Sequence, residues 1–584
     1  MIDEELGCIK KFDSWNEHEQ IEFVKELISR MAFHQQEKVN SFLEPILQRD
    51  FISELANRGL DNIACYILSS LIPYFTIYIQ IEIIHHSFTE YFVIIALIYM
   101  YAHSAVKFRP VYRWIKSVRR LSEHLYRTHN CGELRYKHIG QTVKVAGWLQ
   151  KPRIITNSDV IPLFIPIQDM YGVTQAVTKE PTLKKIVKQT PIDSIVSIEG
   201  IVIERISPNP NLRTGQIEIV VNKIEILNQC ENLHYTTKSH SKNVSHCLAN
   251  HTRYLYLRRQ QNIEVLKKRS EFIHFLSNYL HIKHNFIEIE TPILSKKSPE
   301  GAKEFIVPSS NLKRQFYTLS QSPQQYKQLL MVSSIDKYFQ IAKCFRDEIH
   351  TAQRQIEFSQ LDLEMAFVTQ DDVINLIEEM VCQAIENICP KSALLERPFP
   401  RLTYQAAMKQ YNTDKPDLRS AGTKDKLAFA WIQDFPLFTK TTQGVIMSTH
   451  HPFTTHHIDD ADLIYSDPLR ARGQSYDLVL NGVEVGGGSI RVHQAALQKH
   501  IIENILKEDS SHLQHLITAL GHGCPPHGGF ALGLDRILMI LLGRLNANDV
   551  IAFPKSSAGR DNTVGSPGNL SQAELSEYEL CFKS

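Results

Sequence analysis

The densest set of groups fit for chemistry lies in residues 338–365, YFQIAKCFRDEIHTAQRQIEFSQLDLEM. Apolar and polar residues alternate on both sides of Arg346-Asp347-Glu348 and of a polar loop with Arg354, Gln355 and Glu357. A period of two predicts a pair of antiparallel strands joined by a long loop, with Arg346 at the end of the first strand facing its mate. A guanidinium fixed on a strand between carboxylates suits a bidentate phosphate or carboxylate contact, and a solvated charge cluster on a hairpin tip is the alternative. Elsewhere the chain has no P-loop and no GxGxxG. Its ten cysteines are scattered from Cys8 to Cys581 without a CxxC pair or a His/Cys cluster at zinc spacing, which fits a reducing compartment and implies no structural metal.

The elements that must position these groups follow from pattern and composition. With 584 residues, 43% hydrophobic and 22% charged, the chain is expected to be globular and to hold two to four domains. A net charge of +1 argues against a uniformly basic nucleic-acid binder. In residues 12–71, Ile21, Val24, Leu27, Ile28 and Met31 form a helical stripe, and Phe42, Leu43, Ile46 and Leu47 begin another. Residues 72–99 are strongly apolar but broken by His85-His86. Each run is shorter than the roughly 20 residues a spanning helix needs, so a buried hairpin or translated non-coding sequence between two coding units is favoured over a membrane partner. Residues 100–126 carry Lys107, Arg109, Arg113, Lys116, Arg119 and Arg120 with no acid before Glu123. This basic amphipathic pattern is that of a mitochondrial transit peptide. It predicts a natural start at Met100 and a matrix location, or else a cytoplasmic one.

Residues 127–232 read as five short strands, 142–149, 162–167, 172–177, 194–204 and 215–227, the pattern of an OB barrel. On it Phe164 could stack on, and Gln175 hydrogen-bond to, unpaired bases. Residues 107–153 hold twelve Lys or Arg against Glu123 and Glu133, a local basic bias that the net charge conceals. After a polar linker at 233–250, residues 253–584 mix helices with antiparallel strands. A helix over 263–281 leads into a strand, FIEIETPIL, ending at Pro292, and QSPQQYKQLLM begins a helix bearing Lys327.

In chain order, RYLYLRR, ETPIL, SPEGA, QSPQQYKQLLM, CFRDE, RQIEF, FAWIQDFPLF, HHPFT, YDLVLNGVEVGGGSIRVH, GFALGLDRI and DVIAFP resemble the bacterial-type aspartyl-tRNA synthetases, the form also found in mitochondria. RTHNCGEL and HIGQTVKVAGWL resemble the start of their anticodon-binding domain. The likeness runs from about residue 127 to the C-terminus. It implies an α+β fold: a class II antiparallel-sheet catalytic domain preceded by an all-β OB-fold barrel, here with a helical N-terminal extension. Residues 12–71 resemble the dimerisation region and the opening of the F-box in beta-transducin-repeat-containing F-box proteins, adaptors of ubiquitin ligases. Their propeller is missing, since the four tryptophans, Trp15, Trp114, Trp148 and Trp431, follow no repeat of blade length. An adaptor-like interaction protein with an F-box partner is therefore the alternative function.

The synthetase resemblance implies activation of L-aspartate by ATP and transfer to tRNA(Asp). Two anions must be brought together, so the site needs cations, Mg2+ and alignment rather than a protein nucleophile. By resemblance, Arg346 bridges the α-phosphate and the substrate carboxylate, and Arg536 holds the γ-phosphate; these are the catalytic pair. The ATP site takes in Asp347, Glu348, Gln355, Phe358 as the adenine-stacking ring, Glu484, Gly533, Leu534 and Asp535. Asp477 and Glu484 are the magnesium carboxylates. Arg491 and Lys327 recognise the aspartate side chain, Glu300 and Gln324 orient its ammonium group, and His450 or His451 closes over it. Gly486, Gly487 and Gly488 leave room for the adenylate. Asparagine would forfeit charge-assisted bonds worth about 1.5 to 3 kcal/mol each. Pro292 ends the segment that forms the family's homodimer interface. The chain departs from the pattern in two places. Only SAGTKDKLA separates Arg419 from Phe429, where bacterial-type members carry an inserted domain, and Pro166 stands where an acidic residue is usual.

Overall fold

In TVKVAGWL Val143, Val145, Gly147 and Leu149 are buried and Lys144, Ala146 and Trp148 only partly so, the alternation of a strand with one face on a core. The computed structural model describes residues 126–154, 161–231, 251–298, 301–390 and 392–581. The segments 12–71 and 72–99, the basic segment up to residue 125, the linker and Glu300 lie outside the described residues.

The first strands are β1 (Thr142–Leu149), β2 (Arg153–Ile154), β3 (Leu163–Asp169), β4 (Gly172–Thr178), β5 (Ile195–Glu204) and β6 (Ile217–Asn228). They run in the order β1-β5-β6-β4-β3-β2, and β1 pairs back onto β3, closing a barrel around Val145, Ile165, Ile167, Val196, Ile198 and Ile219. Neither the two-residue β2 nor helix α1 (Pro181–Gln189) was anticipated; α1 lies between β4 and β5, and its Leu183 and Val187 join this core.

A short helical turn, Arg253–Leu257, opens the second part and is followed by helix α2 (Gln260–Asn278). The strand expected for FIEIETPIL is broken into β7 (Ile287–Glu288) and β8 (Leu294–Ser295). Pro292 has no N–H for a ladder, and around it the chain passes from the edge of one sheet to another. β8 pairs with β10 (Phe316–Leu319), which pairs with β9 (Ile306–Pro308). Helix α3 (Gln324–Val332) then leads to the expected hairpin, β11 (Lys337–Phe345) and β12 (Glu357–Ala366). Next come helix α4 (Gln370–Ile388), β13 (Arg401–Thr403), helix α5 (Tyr404–Tyr411) and β14 (Phe429–Gln433). The remainder comprises a small ribbon, β15 (Phe438–Lys440) with β16 (Ile446–Ser448), then β17 (Ser475–Leu480), β18 (Val483–Ile490), β19 (His527–Gly533) and helix α6 (Leu534–Leu541). Helix α6 carries Arg536 but is not the last helix, since Gln572–Glu577 forms a short one.

The main sheet has the order β13-β14-β17-β18-β19-β12-β11-β7, antiparallel except for the outermost pairs. Leu361, Leu363 and Met365 of β12 point into a core shared with Phe272 and Leu276 of α2 and Val373, Ile377, Val381 and Ile385 of α4. The alternate residues, Asp362 and Glu364, therefore face the other side, and both are buried there as well. The strands flanking the shortened connection pair normally, β14 lying parallel to β13 and antiparallel to β17. The connection closes on itself: Arg419 grips Asp417 at 2.9 Å through both Nε and Nη2, Lys424 reaches Asp417 at 3.2 Å, and Ser420 and Thr423 cap a short turn.

Gly486 and Gly488 face the core side of β18, not the site. A Cβ on Gly486 would lie 2.6 Å from the Phe530 ring, and one on Gly488 would lie 2.1 Å from the Gly529 carbonyl oxygen. Only Gly487 leaves space on the site face, where a Cβ would lie 2.6 Å from Asp477 Oδ1. Gly488→Ala should therefore destabilise the protein by about 1 to 3 kcal/mol or more in denaturant unfolding. Gly521→Ala, whose new methyl meets only Ala495 at 3.8 Å, should leave stability unchanged or slightly raised. Equal unfolding midpoints for the two variants would contradict this packing.

Candidate active site

Arg346 stands where β11 ends, its N–H donating to Ile356 O at 2.9 Å across the hairpin. Its guanidinium carbon lies 5.2 Å from the centroid of Phe358, and its Nε is buried without a protein partner. Other loop residues are engaged otherwise than expected. Asp347 pairs with Lys303 at 2.6 Å, and Glu348 is exposed. Gln355 is a structural pin: its amide nitrogen donates to Asn548 Oδ1 and its oxygen accepts from Lys555 N at 3.0 Å, leaving little for a nucleotide. Asp535 accepts from Arg269 at 2.5 Å and from Ser359 N at 3.1 Å, bracing α2 and β12, while Leu534 is in the core. Gly533 closes β19. Arg536 is the member of this group that faces the site, donating to Glu484 O at 3.0 Å and to Gln353 O at 3.4 Å. Burial pulls its pKa down, and Arg354 and Arg346 add to this against the opposing pull of Glu484.

Asp477 and Glu484 come from the β17–β18 hairpin, whose Asn481-Gly482 turn has φ of 53° and 82°, as a tight two-residue turn requires. Val479 faces Glu484, but Leu478 faces Gly486, so Val485 is the extra residue of a bulge. The bulge switches the parity of β18. It allows the even-numbered Glu484 and the odd-numbered Gly487, Ser489 and Arg491 to share the face on which Asp477 lies. His450 Nε2 lies 3.4 Å from Asp477 Oδ2. On the other carboxylate, Lys415 Nζ lies 3.0 Å from Glu484 Oε2, with Arg536 at 3.8 Å. Burial raises the Asp477 pKa, with His450 opposing and Glu484 reinforcing; for Glu484, Lys415 and Arg536 outweigh burial and lower it. Among the described residues no three His, Cys, Asp or Glu side chains converge as a metal cage. Two adjacent carboxylates still fit magnesium, which commonly takes one or two carboxylates and completes its shell with phosphate oxygens and water.

Deeper in the same face lies a cluster of four buried charges. Lys327 Nζ is 3.0 Å from Asp362 Oδ2 and 3.1 Å from Glu364 Oε2. Arg491 Nε donates to Glu364 Oε1 at 3.0 Å, and its Nη1 donates to Ser489 Oγ at 2.8 Å. Burial would raise both acids, but Glu364 has two cations and is held down at about 2, whereas Asp362 has chiefly Lys327 and the repulsion of Glu364 and rises to about 6. Asp362 Oδ1 is buried without a partner. Gln324, one turn before Lys327, is buried and donates to Gln328 Oε1 at 3.1 Å. The histidine pair divides. His451 has an unpartnered Nε2 and is held neutral by burial and by Arg491, Lys327 and Arg346, whereas His450 is directed to Asp477, which leaves His451 as the member of the pair beside the buried charges. Asp362, Glu364 and Lys415 were missed from sequence. The two acids did leave a signal, charges at alternate positions of a strand otherwise built for a core.

On the barrel, Phe164 faces Val177 and Pro166 faces Gln175, which puts Phe164 and Gln175 diagonally on one face. Phe164 is half-buried, and Gln175 is buried and donates to Glu218 Oε2 at 2.8 Å.

A class II aminoacyl-tRNA synthetase is what these parts define: an antiparallel sheet with helices on one face and cations and carboxylates on the other, following an OB barrel. The family profile of class II tRNA synthetases (D, K and N) matches residues 246–557, and that of the OB-fold nucleic acid binding domain matches 143–227. The human mitochondrial aspartate–tRNA ligase is 34% identical over 599 residues, covering 79% of this chain and 91% of its own. The aspartate–tRNA(Asp/Asn) ligase of Chlamydia caviae is 33% identical over 588 residues, covering 78% of this chain and 99% of its own. Among solved structures, the asparaginyl-tRNA synthetase of Pyrococcus horikoshii complexed with asparaginyl-adenylate has the same fold, with a TM-score of 0.60, 21% identity and coverage of 74% of this chain and 99% of that one. The chain belongs to the class II tRNA synthetases of the D, K and N group, and within it to the aspartyl-tRNA synthetases of bacterial and mitochondrial type. A profile of the D domain of beta-TrCP matches residues 10–48, outside the described residues.

Glu364→Gln would leave Lys327 and Arg491 sharing one buried carboxylate and should destabilise the protein by about 3 to 5 kcal/mol. Asp362, raised from 3.8 to about 6, binds its proton more tightly folded than unfolded, so its contribution is full below 3.8 and is lost as the pH rises through 6. Glu364, lowered from 4.5 to about 2, contributes above 4.5 and loses that contribution as the pH falls through 2. In urea unfolding across pH 4 to 7, about the window of the first shift, Asp362→Asn should remove the decline that Asp362 imposes. An unchanged pH profile would show that Asp362 stays ionised.

Proposed function

We propose that this chain is an aspartate–tRNA ligase, activating L-aspartate with ATP and transferring the aspartyl group to tRNA(Asp). The observation that carries the reading is the buried Lys327–Asp362–Glu364–Arg491 cluster beneath the cationic surface of Arg346 and Arg536. It is a cluster of two cations and two anions, whose charges suit a small zwitterion with an acidic side chain.

Arg491 and Lys327 take the side-chain carboxylate, the first by its planar fork and the second as a point charge. Asp362 offers its unpartnered oxygen to the ammonium group, with Gln324 nearby and Glu300 the further expected contact. Arg346 holds the α-carboxylate against the α-phosphate, Phe358 presents its ring to the adenine, and Arg536 draws the terminal phosphate away from the site of attack. An oxygen of the α-carboxylate forms the new bond to the α-phosphorus as the bond to pyrophosphate breaks, without a protein nucleophile. A terminal ribose hydroxyl of the tRNA then attacks the acyl carbon and AMP leaves. Asp477 and Glu484 would hold Mg2+, whose charge offsets that of the phosphates. His451, kept neutral, can accept or donate a hydrogen bond over the amino acid without adding charge. Phe164 and Gln175 offer a stacking ring and an amide to the anticodon.

The protein is a homodimer in this reading. Ile293, Leu294, Ile306 and Phe316, around the three-stranded sheet, are 43%, 48%, 68% and 48% exposed, an apolar cluster suited to a second copy. Mitochondrial relatives and the basic segment at 100–126 support a matrix location. The D-domain match at 10–48 favours a second, additional role as an adaptor-like interaction segment. One continuous message encoding Trp15 and Arg346 would show that both parts occur in one polypeptide.

Arg491→Leu should lower aspartate-dependent ATP–pyrophosphate exchange at least about a hundredfold, since it removes two charge-assisted bonds. Arg491→Lys, which keeps the charge but loses the fork, separates recognition from folding. Exchange retained in the leucine variant would refute the pocket. Ile306→Glu should shift the sedimentation coefficient of the protein to that of a monomer; an unchanged dimer would place the interface elsewhere.

A further inference from the structure

The shortened connection between α5 and β14 reaches the active site through one residue that the chemistry above does not use. After α5 the chain turns at Asn412, which has φ of 56°, and Thr413 Oγ1 accepts from Lys415 N at 3.1 Å. The connection lies against the β17–β18 turn. A Cβ on Gly482 would be 3.3 Å from Asp417 Cβ and 3.7 Å from Lys415 O. From there the Lys415 side chain extends to Glu484 Oε2 at 3.0 Å, with Asp414 at 4.0 Å.

We propose that Lys415 is a positioning residue for Glu484, an internal counter-ion that holds this carboxylate on the site face until a divalent cation arrives and then yields the oxygen to it. The inference rests on the reading of Asp477 and Glu484 as the cation-binding pair. Two carboxylates on one face of a tight hairpin repel each other, and each has a basic partner: His450 at 3.4 Å on Asp477, and Lys415 at 3.0 Å on one oxygen of Glu484, with Arg536 at 3.8 Å from the other. Exposure separates a fixed cation from an exchangeable one. Lys327 is 2% exposed, and removing it would strand two buried acids; Lys415 and Glu484 are 34% and 30% exposed, so the ammonium has a path to water or to a phosphate. Its single point charge on a flexible stem forms no fork with the carboxylate, unlike Arg491 on Glu364. Ammonium and divalent cation therefore compete for the same oxygen.

The test is Mn2+ binding by the full chain without nucleotide, followed by the paramagnetic resonance of free Mn2+. Lys415→Met should bind Mn2+ about tenfold more tightly than the unaltered chain, because the competing charge is gone. Lys415→Arg should bind no more tightly than the unaltered chain, and Lys415→Met/Glu484→Gln should lose the gain. Thermal unfolding gives a second readout: Lys415→Met should have a lowered Tm that Mn2+ restores. A Tm lowered equally with and without Mn2+ would show a mere structural clamp and overturn the proposal. So would unimproved Mn2+ binding in Lys415→Met, and if Glu484→Gln alone weakens binding, the carboxylate pair survives that result. Unaltered Mn2+ binding in Glu484→Gln would instead remove the carboxylate pair, and the role of Lys415 with it.

Discussion

Four charges without access to water, Lys327, Asp362, Glu364 and Arg491, constrain the rest of the catalytic unit. Each is costly to bury alone and acceptable only with its partners in place. Lys327 comes from α3, the two acids from β12 and Arg491 from the position directly after β18, so satisfying the charges fixes three elements relative to one another. Ser489 and Thr454 extend the network by hydrogen bonds of 2.8 and 3.1 Å. The imbalance within the cluster is as informative as its order. Glu364 is fully engaged, while Asp362 keeps one oxygen unpartnered, an acceptor left open to a positive group.

Moving outward across the same face, the ion pairs become more exposed. The inner pairs among Lys327, Asp362, Glu364 and Arg491 are almost completely buried, whereas Arg536, Glu484 and Lys415 are 25%, 30% and 34% exposed. The inner cluster is rigid because moving any member leaves a buried charge unpaired. The outer ion pairs, open to water, are screened and weaker than the inner ones.

Much of this was legible from residues. The Arg346 hairpin followed from alternation and a polar loop, and the five barrel strands from periodicity and turn spacing. Other features depended on contacts distant in sequence. FIEIETPIL has the composition of one strand, yet Pro292 ends pairing with one sheet. Helix α1 is a short amphipathic segment between strands, and its assignment requires the barrel core that Leu183 and Val187 complete. Asp535 sits beside Arg536 in a motif, but successive helical residues point about 100° apart, so one faces α2 while the other faces the site. His450 and His451 divide for a similar reason. The parity switch at Val485 is invisible as composition, although without it Glu484 and Arg491 could not share a face.

The short link between α5 and β14 also has a consequence for how the chain acquires its shape. β13 and β14 lie parallel at one edge of the main sheet, and a parallel pair forms only after the intervening loop has closed. Closure entropy grows with the logarithm of loop length, about 0.6 kcal/mol for each doubling, and non-local strand pairing sets the pace of folding. A chain with only SAGTKDKLA between Arg419 and Phe429 brings these strands together locally, with the Asp417–Arg419 contact close in sequence to nucleate the turn. The edge of the sheet can then assemble early, before the distant β12 and β19 meet, and the remaining strands have a template on which to add.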